Sequence, residues 1–192
     1  MVYSKDFADP VTGWRSLIDE KSAVDSFIAL EYTQSFDANL NSSCFMYKGR
    51  DSASGPGKLY FGPLLDFDSS MGDARDPYGL GLPTTWYTRD ENPDVMKQTD
   101  VTWVNRLNQD QAFRAAVAER WRELKPLFSG LPAFVDSRAE LIEAGADANF
   151  GKWSVTERRD HEQVLNGSWR AEVTALKSWL SQRTDWITEQ LG

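Results

Sequence analysis

The 192-residue chain holds one cysteine and one histidine. One cysteine excludes an intrachain disulfide framework. Cys44 sits in the strand-like run Cys44-Phe-Met-Tyr47 and reads as a small buried hydrophobe. His161, in the polar run 157–163, reads as part of a solvated helix face. With a single His and a single Cys the chain lacks the ligand set of a zinc site, and the lone His leaves little basis for a Ser/His/Asp relay. No apolar run approaches the roughly 20 residues a membrane helix needs. The opening Met1–Pro10 lacks the basic start and apolar centre of a signal peptide and reads instead as a cut inside a longer protein. There is no glycine-rich phosphate loop, and there are no repeats, heptads or low-complexity tracts. Basic residues are in the minority, 21 against 29 acidic, for a net charge of −8. That balance argues against a broad nucleic-acid surface and is compatible with a cation requirement.

What is present is enough for one good core, in one or two packed subregions: 41% hydrophobic and 12% aromatic residues, with eight Trp. Several Trp fall at helical spacing, as core and helix anchors do. The pattern predicts a short helical turn over 11–20, carrying Trp14, Leu17 and Ile18. A helix starts at Ser22 and runs through Val24, Phe27, Ile28 and Glu31 to about Phe36. After an irregular stretch over 73–100, rich in Pro, Gly and acid, the chain turns helical. The predicted helices are Val101–Leu107, one capped by Asp110 and stopped by Pro126, one opened by Pro132 and ending near Asn149, and one from Ser168 to Leu191. The fold class is α+β, mostly α-helical.

The stretch that organises the rest is 58–72, Lys-Leu-Tyr-Phe-Gly-Pro-Leu-Leu-Asp-Phe-Asp-Ser-Ser-Met-Gly. Leu59–Phe61 reads as a strand that ends at Gly62-Pro63 and delivers Asp66 and Asp68 into a loop. With Cys44–Tyr47 and the turn-rich 48–57 between them it forms an antiparallel hairpin. Antiparallel pairing makes the residues entering the first strand neighbours of those leaving the second. Asp37, Asn41 and Ser42 therefore meet Asp66 and Asp68 at the open end. Clustered carboxylates with neutral oxygens suit Mg²⁺, Mn²⁺ or Ca²⁺. The spacing of Asp37 to Asn41 and Ser42 is similar to that between the catalytic Asp and metal-binding Asn of protein kinases, where a hairpin and Asp-Phe-Gly follow. Here Asp68 stands in place of that glycine. Paired carboxylates with sugar-stacking Trp are also the equipment of a glycosidase. The irregular stretch 73–100 is long enough to be a substrate-facing loop or plain surface.

Taken in order, Ser26-Phe-Ile…Glu31, Asp37, the hairpin, Gly62-Pro63, Asp66-Phe-Asp68, Gly72, Trp86-Tyr87, Trp103…Leu107, Phe113, Arg120-Trp121, Lys152-Trp153 and Lys177-Ser-Trp-Leu…Arg183…Trp186 resemble the C-terminal half of the CotH kinase family. These are atypical protein kinases named for the spore coat protein H. The Gly-Pro-x-x-Asp-Phe-Asp block is the most specific piece, although Leu65 stands where the family usually has Trp. The resemblance implies a kinase-like large lobe over 1–192, with a small antiparallel hairpin carrying the metal loop. It implies transfer of phosphate from ATP to Ser/Thr of a protein substrate, with Mg²⁺ or Mn²⁺. Asp37 would be the catalytic-loop Asp, Asp66 the metal ligand with Asp68 beside it, and Asn41 or Ser42 the second-metal position. It further implies a nucleotide-binding lobe ahead of this chain, without which catalysis is expected to be negligible, and a setting in the spore coat, cell surface or secreted space. A non-catalytic coat or surface module is the alternative reading.

Overall fold

The computed structural model describes residues 1–35, 43–53, 55–68, 70–73, 82–87, 102–154 and 165–192. These form helix α1 (Glu20–Thr33), strands β1 (Cys44–Lys48) and β2 (Leu59–Leu64), and helices α2 (Trp103–Asn108), α3 (Gln111–Ser129), α4 (Leu131–Lys152) and α5 (Trp169–Leu191). A single 3₁₀ turn, Trp14–Ser16, precedes α1. The chain is mostly helical with one two-stranded antiparallel sheet. It divides into two compact units, Met1–Phe67 with Trp86–Trp121, and Asp68–Thr85 with Arg122–Gly192.

In the first unit α1 is the central element. Ala23, Val24, Phe27, Ile28, Leu30 and Tyr32 are all buried. A helix apolar over so much of its circumference must be enclosed. Phe113 meets Phe27 and Trp14 edge to face, at 5.6 and 5.8 Å between ring centroids, and Trp121 stacks on Tyr32 at 5.9 Å. Edge-to-face contacts of this kind add to the burial of the rings themselves. Asp19, rather than the predicted Ser22, caps α1, its carboxylate accepting from the Ser22 amide at 2.8 Å. Asp19 lies one turn earlier, and its carboxylate satisfies an amide that the first helical turn leaves without an intrahelical acceptor.

Asp110 caps α3 as its sequence position predicts, accepting from the Ala112 amide at 2.9 Å. The same buried carboxylate takes the Trp14 indole N–H at 2.9 Å and an Arg15 guanidinium N–H at 2.5 Å, and Arg15 in turn pairs with Glu20 at 2.8 Å. One side chain thus joins the turn before α1 to the start of α3. Desolvation by burial pushes the Asp110 carboxyl up, but the Trp14 and Arg15 hydrogen bonds outweigh it and hold the group below the ordinary carboxylate value.

In the second unit α4 runs antiparallel to α5. Lys177 pairs with Asp136 at 2.6 Å, Arg170 pairs with Glu143, and Phe150 stacks on Trp169 at 6.0 Å. Arg183 of α5 is fully buried and donates to the Pro83 and Thr85 carbonyls at 2.9 and 2.5 Å. Its guanidinium lies 5.0 Å from the Trp186 ring centroid.

Two predicted boundaries move. Pro126 does not stop α3, which continues to Ser129. Proline removes the bond to the Arg122 carbonyl, but Arg122 and Pro126 are exposed, so water can take that carbonyl. β2 does not end at Gly62-Pro63 but runs through it to Leu64. The ladder is irregular between Cys44 and Met46, so the missing Pro63 N–H falls where regular pairing is already interrupted. Trp14, Trp86, Trp121 and Trp179 are core, whereas Trp153 is exposed. Cys44 is half-buried rather than enclosed.

Removing the Asp110 carboxylate strands the Arg15 and Trp14 donors, so Asp110→Ala is expected to lower unfolding free energy by about 2–4 kcal/mol in urea titration. The folded-state carboxyl titrates below its unfolded value. Its contribution is therefore complete above about pH 4 and is lost as pH falls through the folded value. The acid-side slope of stability should be shallower in Asp110→Ala than in wild type.

Candidate functional site

The site is built on the hairpin. Cys44 pairs with Leu64, Met46 with Phe61, Tyr47 with Tyr60 and Lys48 with Leu59. Tyr47 and Tyr60 stack at 5.0 Å, a cross-strand aromatic pair of the kind that fixes register. The closed end is tied by Asp51, which pairs with Lys48 and accepts the Gly57 amide at 2.9 Å. There the two segments beyond the strand ends come so close that a Cβ on Gly57 would lie 2.1 Å from the Gly49 carbonyl oxygen. Only glycine fits at that approach.

β2 is joined to the segment before α1 by two backbone hydrogen bonds, Leu59 N–H to the Leu17 carbonyl at 2.8 Å and Asp19 N–H to the Leu59 carbonyl at 2.9 Å. The Phe61 amide donates to the Ser22 hydroxyl at 3.2 Å. The hairpin is thereby referenced to the first turn of α1. A cleft lined by Ser26, Leu30, Cys44, Phe61, Pro63 and Leu65 lies between α1 and the open end of the hairpin.

At that open end the Ser43 hydroxyl donates to the Asp66 carboxylate at 2.9 Å. This is the meeting of entering and leaving segments that antiparallel pairing requires. Both residues are in the left-handed region, Ser43 at φ 49° and Asp66 at φ 69°. Neither is glycine, and such backbone concentrates where a side chain must be aimed. The Asp66 and Asp68 side chains are exposed to solvent. Of the residues the sequence singles out, the structure places Asp66 at the hairpin exit with Asp68 two positions on. Asp37, Asn41 and Ser42 lie outside the described residues, as does His161. Among the described residues no group of three His, Cys, Asp or Glu side chains could hold a metal.

The chain matches the family model described as CotH kinase protein over residues 3–187. It belongs to the CotH kinase family. No curated protein and no solved structure matches it. The match takes in the hairpin and the Asp-Phe-Asp motif together with both helical units, so the geometry above is that of a CotH kinase family chain. Among the described residues no helix is long and apolar enough to cross a membrane.

One anchor was underread in the sequence. Glu31, at an apolar-stripe position of α1, is 1% exposed and accepts the Tyr87 amide at 2.7 Å. It holds Trp86-Tyr87, both buried, against the C-terminal end of α1, three residues before Gln34 ends that helix in a left-handed conformation. A carboxylate falling on the buried face of an amphipathic pattern was the available signal, because a buried charge must find a partner.

In the second unit Gly72, at φ 89°, lies against Trp179, and a Cβ there would sit 2.7 Å from the indole Cδ1. Trp179 is buried and cannot yield cheaply. Gly72→Ala is therefore expected to cost about 1–3 kcal/mol in denaturant unfolding, from positive φ and overpacking together. Gly145→Ala, at a helical position where a Cβ meets nothing within 4 Å, should be neutral or stabilising.

Proposed function

We propose that this CotH kinase family chain is the large lobe of a kinase-like phosphotransferase, acting with Mg²⁺ or Mn²⁺ to move phosphate from ATP to a Ser or Thr hydroxyl of a protein. The observation that carries the reading is the Ser43–Asp66 hydrogen bond at the hairpin exit, with Asp66 held in left-handed backbone. It ties the residue that follows the 37–42 segment to the first Asp of Asp-Phe-Asp. Kinase chemistry needs those two segments together, one to handle the acceptor hydroxyl and the other the metal.

The donor set fits a hard cation. Asp66 and Asp68 would supply carboxylates, and Asn41 and Ser42 neutral oxygens, the ligands that Mg²⁺ and Mn²⁺ prefer. When bound, the cation would neutralise charge on the phosphate oxygens. Asp66 would hold it, with Asp68 adjacent. Asp37 would accept the proton from the acceptor hydroxyl as that oxygen forms its bond to phosphorus and ADP departs. Asn41 or Ser42 would serve the second metal position. Ser43 would fix the Asp66 carboxylate through its hydroxyl. Positioning of this kind supplies most of the rate in phosphoryl transfer.

Calorimetric titration of Mg²⁺ and Mn²⁺, with and without ATP, tests the reading. Binding heat in wild type that vanishes in Asp66→Ala, with the fold retained by circular dichroism, is the expected result. No heat in folded wild type would overturn the metal site. Ser43→Ala removes only the orienting hydroxyl, so it should weaken metal binding about tenfold while leaving the stoichiometry unchanged.

A further inference from the structure

Helix α4 has two distinct faces. One side carries Asp136, Ala139, Glu143, Ala146 and Phe150, the positions buried or paired against α5. The other carries Phe134, Ser137, Leu141, Ala144, Ala148 and Gly151, and all six are exposed. Their spacing alternates three and four residues, the repeat of a coiled-coil seam. Phe134 and Leu141, the large side chains of the stripe, are 54% and 73% exposed. The sequence reading found no heptads because every second seam position is Gly, Ser or Ala, which no hydrophobicity count registers. Exposure makes the stripe visible.

No charged residue occupies a seam position, although the Arg138 guanidinium lies 4.8 Å from the Phe134 ring centroid at the stripe's edge, and the one polar member is satisfied, the Ser137 hydroxyl donating to the Phe134 carbonyl at 2.7 Å. Phe134 and Leu141 flank the small Ser137, and Ala144, Ala148 and Gly151 follow as three small layers, so a facing helix can approach closely along the C-terminal half. A helix with an apolar, uncharged seam opposite its buried face has room for a second helix partner.

The flanks identify that partner. Turning around the helix axis, Arg138 and Lys152 border the stripe on one side, and Glu140 and Asp147 border it on the other, all four exposed. An antiparallel pairing of two copies would set basic flank against basic and acidic against acidic, which is unfavourable. A parallel pairing sets the basic flank of one copy against the acidic flank of the other. It brings Asp147 of each copy to Lys152 of its mate, five residues on, the offset at which flanking charges of parallel coiled coils meet. We propose that α4 is the two-fold interface of a parallel homodimer, with Phe134 and Leu141 packing on their symmetry mates and Asp147–Lys152 pairs fixing the orientation. Such an interface is isologous and closed, so assembly stops at two. With few bulky layers the affinity should lie in the micromolar range.

Sedimentation equilibrium of the whole chain across the micromolar range tests this. Wild type should be a monomer–dimer equilibrium, and Leu141→Glu should be a monomer whose melting curve matches wild type at concentrations low enough for both to be monomeric, since Leu141 is solvent-exposed in one copy. Asp147→Lys places like charges together on both flanks of the two-fold and should weaken association about tenfold, and the exchanged pair Asp147→Lys with Lys152→Asp should restore it. Wild type that stays monomeric throughout would overturn the proposal. A dimer indifferent to Leu141→Glu would overturn it too, as would an Asp147→Lys defect that the exchange does not recover.

Discussion

The hairpin of this CotH kinase family chain depends on the backbone of Leu59. Its N–H and C=O join Leu17 and Asp19 across the turn that opens α1, at 2.8 and 2.9 Å. Asp19 also caps α1, so helix start and strand start are fixed by neighbouring atoms of one residue. A side-chain period of two leaves a strand no partial adjustment, and a slip of one residue would turn every side chain to the opposite face. Pinning Leu59 therefore sets Phe61 against α1, Tyr60 against Tyr47, and the chain exit at Leu64–Asp66. The site inherits its position from α1, the most enclosed helix of the first unit.

Much of this was legible in sequence because it rests on local rules. The hairpin announced itself through two β-rich runs around a Gly- and Pro-rich turn, and the helices through apolar spacing, the Asp110 cap and the start at Ser168. The boundaries failed where local rules meet exposure. Pro126 stays inside α3 because water can serve the carbonyl it abandons, and Pro63 stays inside β2 because the ladder is already irregular beside it. Neither fact is written in the residues themselves. Of the candidate site, Asp66 and Asp68 lie among the described residues, and Asp66 meets Ser43. The convergence of 43 with 66 was deducible from antiparallel topology alone, whereas the left-handed backbone of both residues was not.

The polar interior was the least legible part. Asp110, Glu31 and Arg183 are buried, and each works at long range: Asp110 on Trp14 and Arg15, Glu31 on the Tyr87 amide, Arg183 on the Pro83 and Thr85 carbonyls. Sequence shows a charge on an apolar face but not the distant group that satisfies it. The Glu31 and Arg183 contacts share a purpose, one in each unit. Irregular chain has no ladder or helix to satisfy its backbone, so buried side chains must do so. Glu31 and Arg183 are what a segment without periodicity needs in order to be held. Each would be costly to remove, because the stranded partner is buried.

Strain and support are separated in the first unit. Ser43 and Asp66 each occupy a backbone region that costs a non-glycine residue about 1 kcal/mol or more. Glycine would relieve that cost at either position, but it has no hydroxyl to give and no carboxylate to receive it. Asp is among the residues that tolerate left-handed backbone best, which makes it the acid suited to this exit. The hydrogen bond between the two side chains offsets part of the cost, and a charge-assisted bond of this type is stronger than a neutral one. The remainder is carried by the aromatic core around α1, which is far larger than a deficit of about 2 kcal/mol. The Ser43 hydrogen bond and the left-handed backbone together restrict where the exposed Asp66 carboxylate points, a restriction that the proposed role as metal ligand would require.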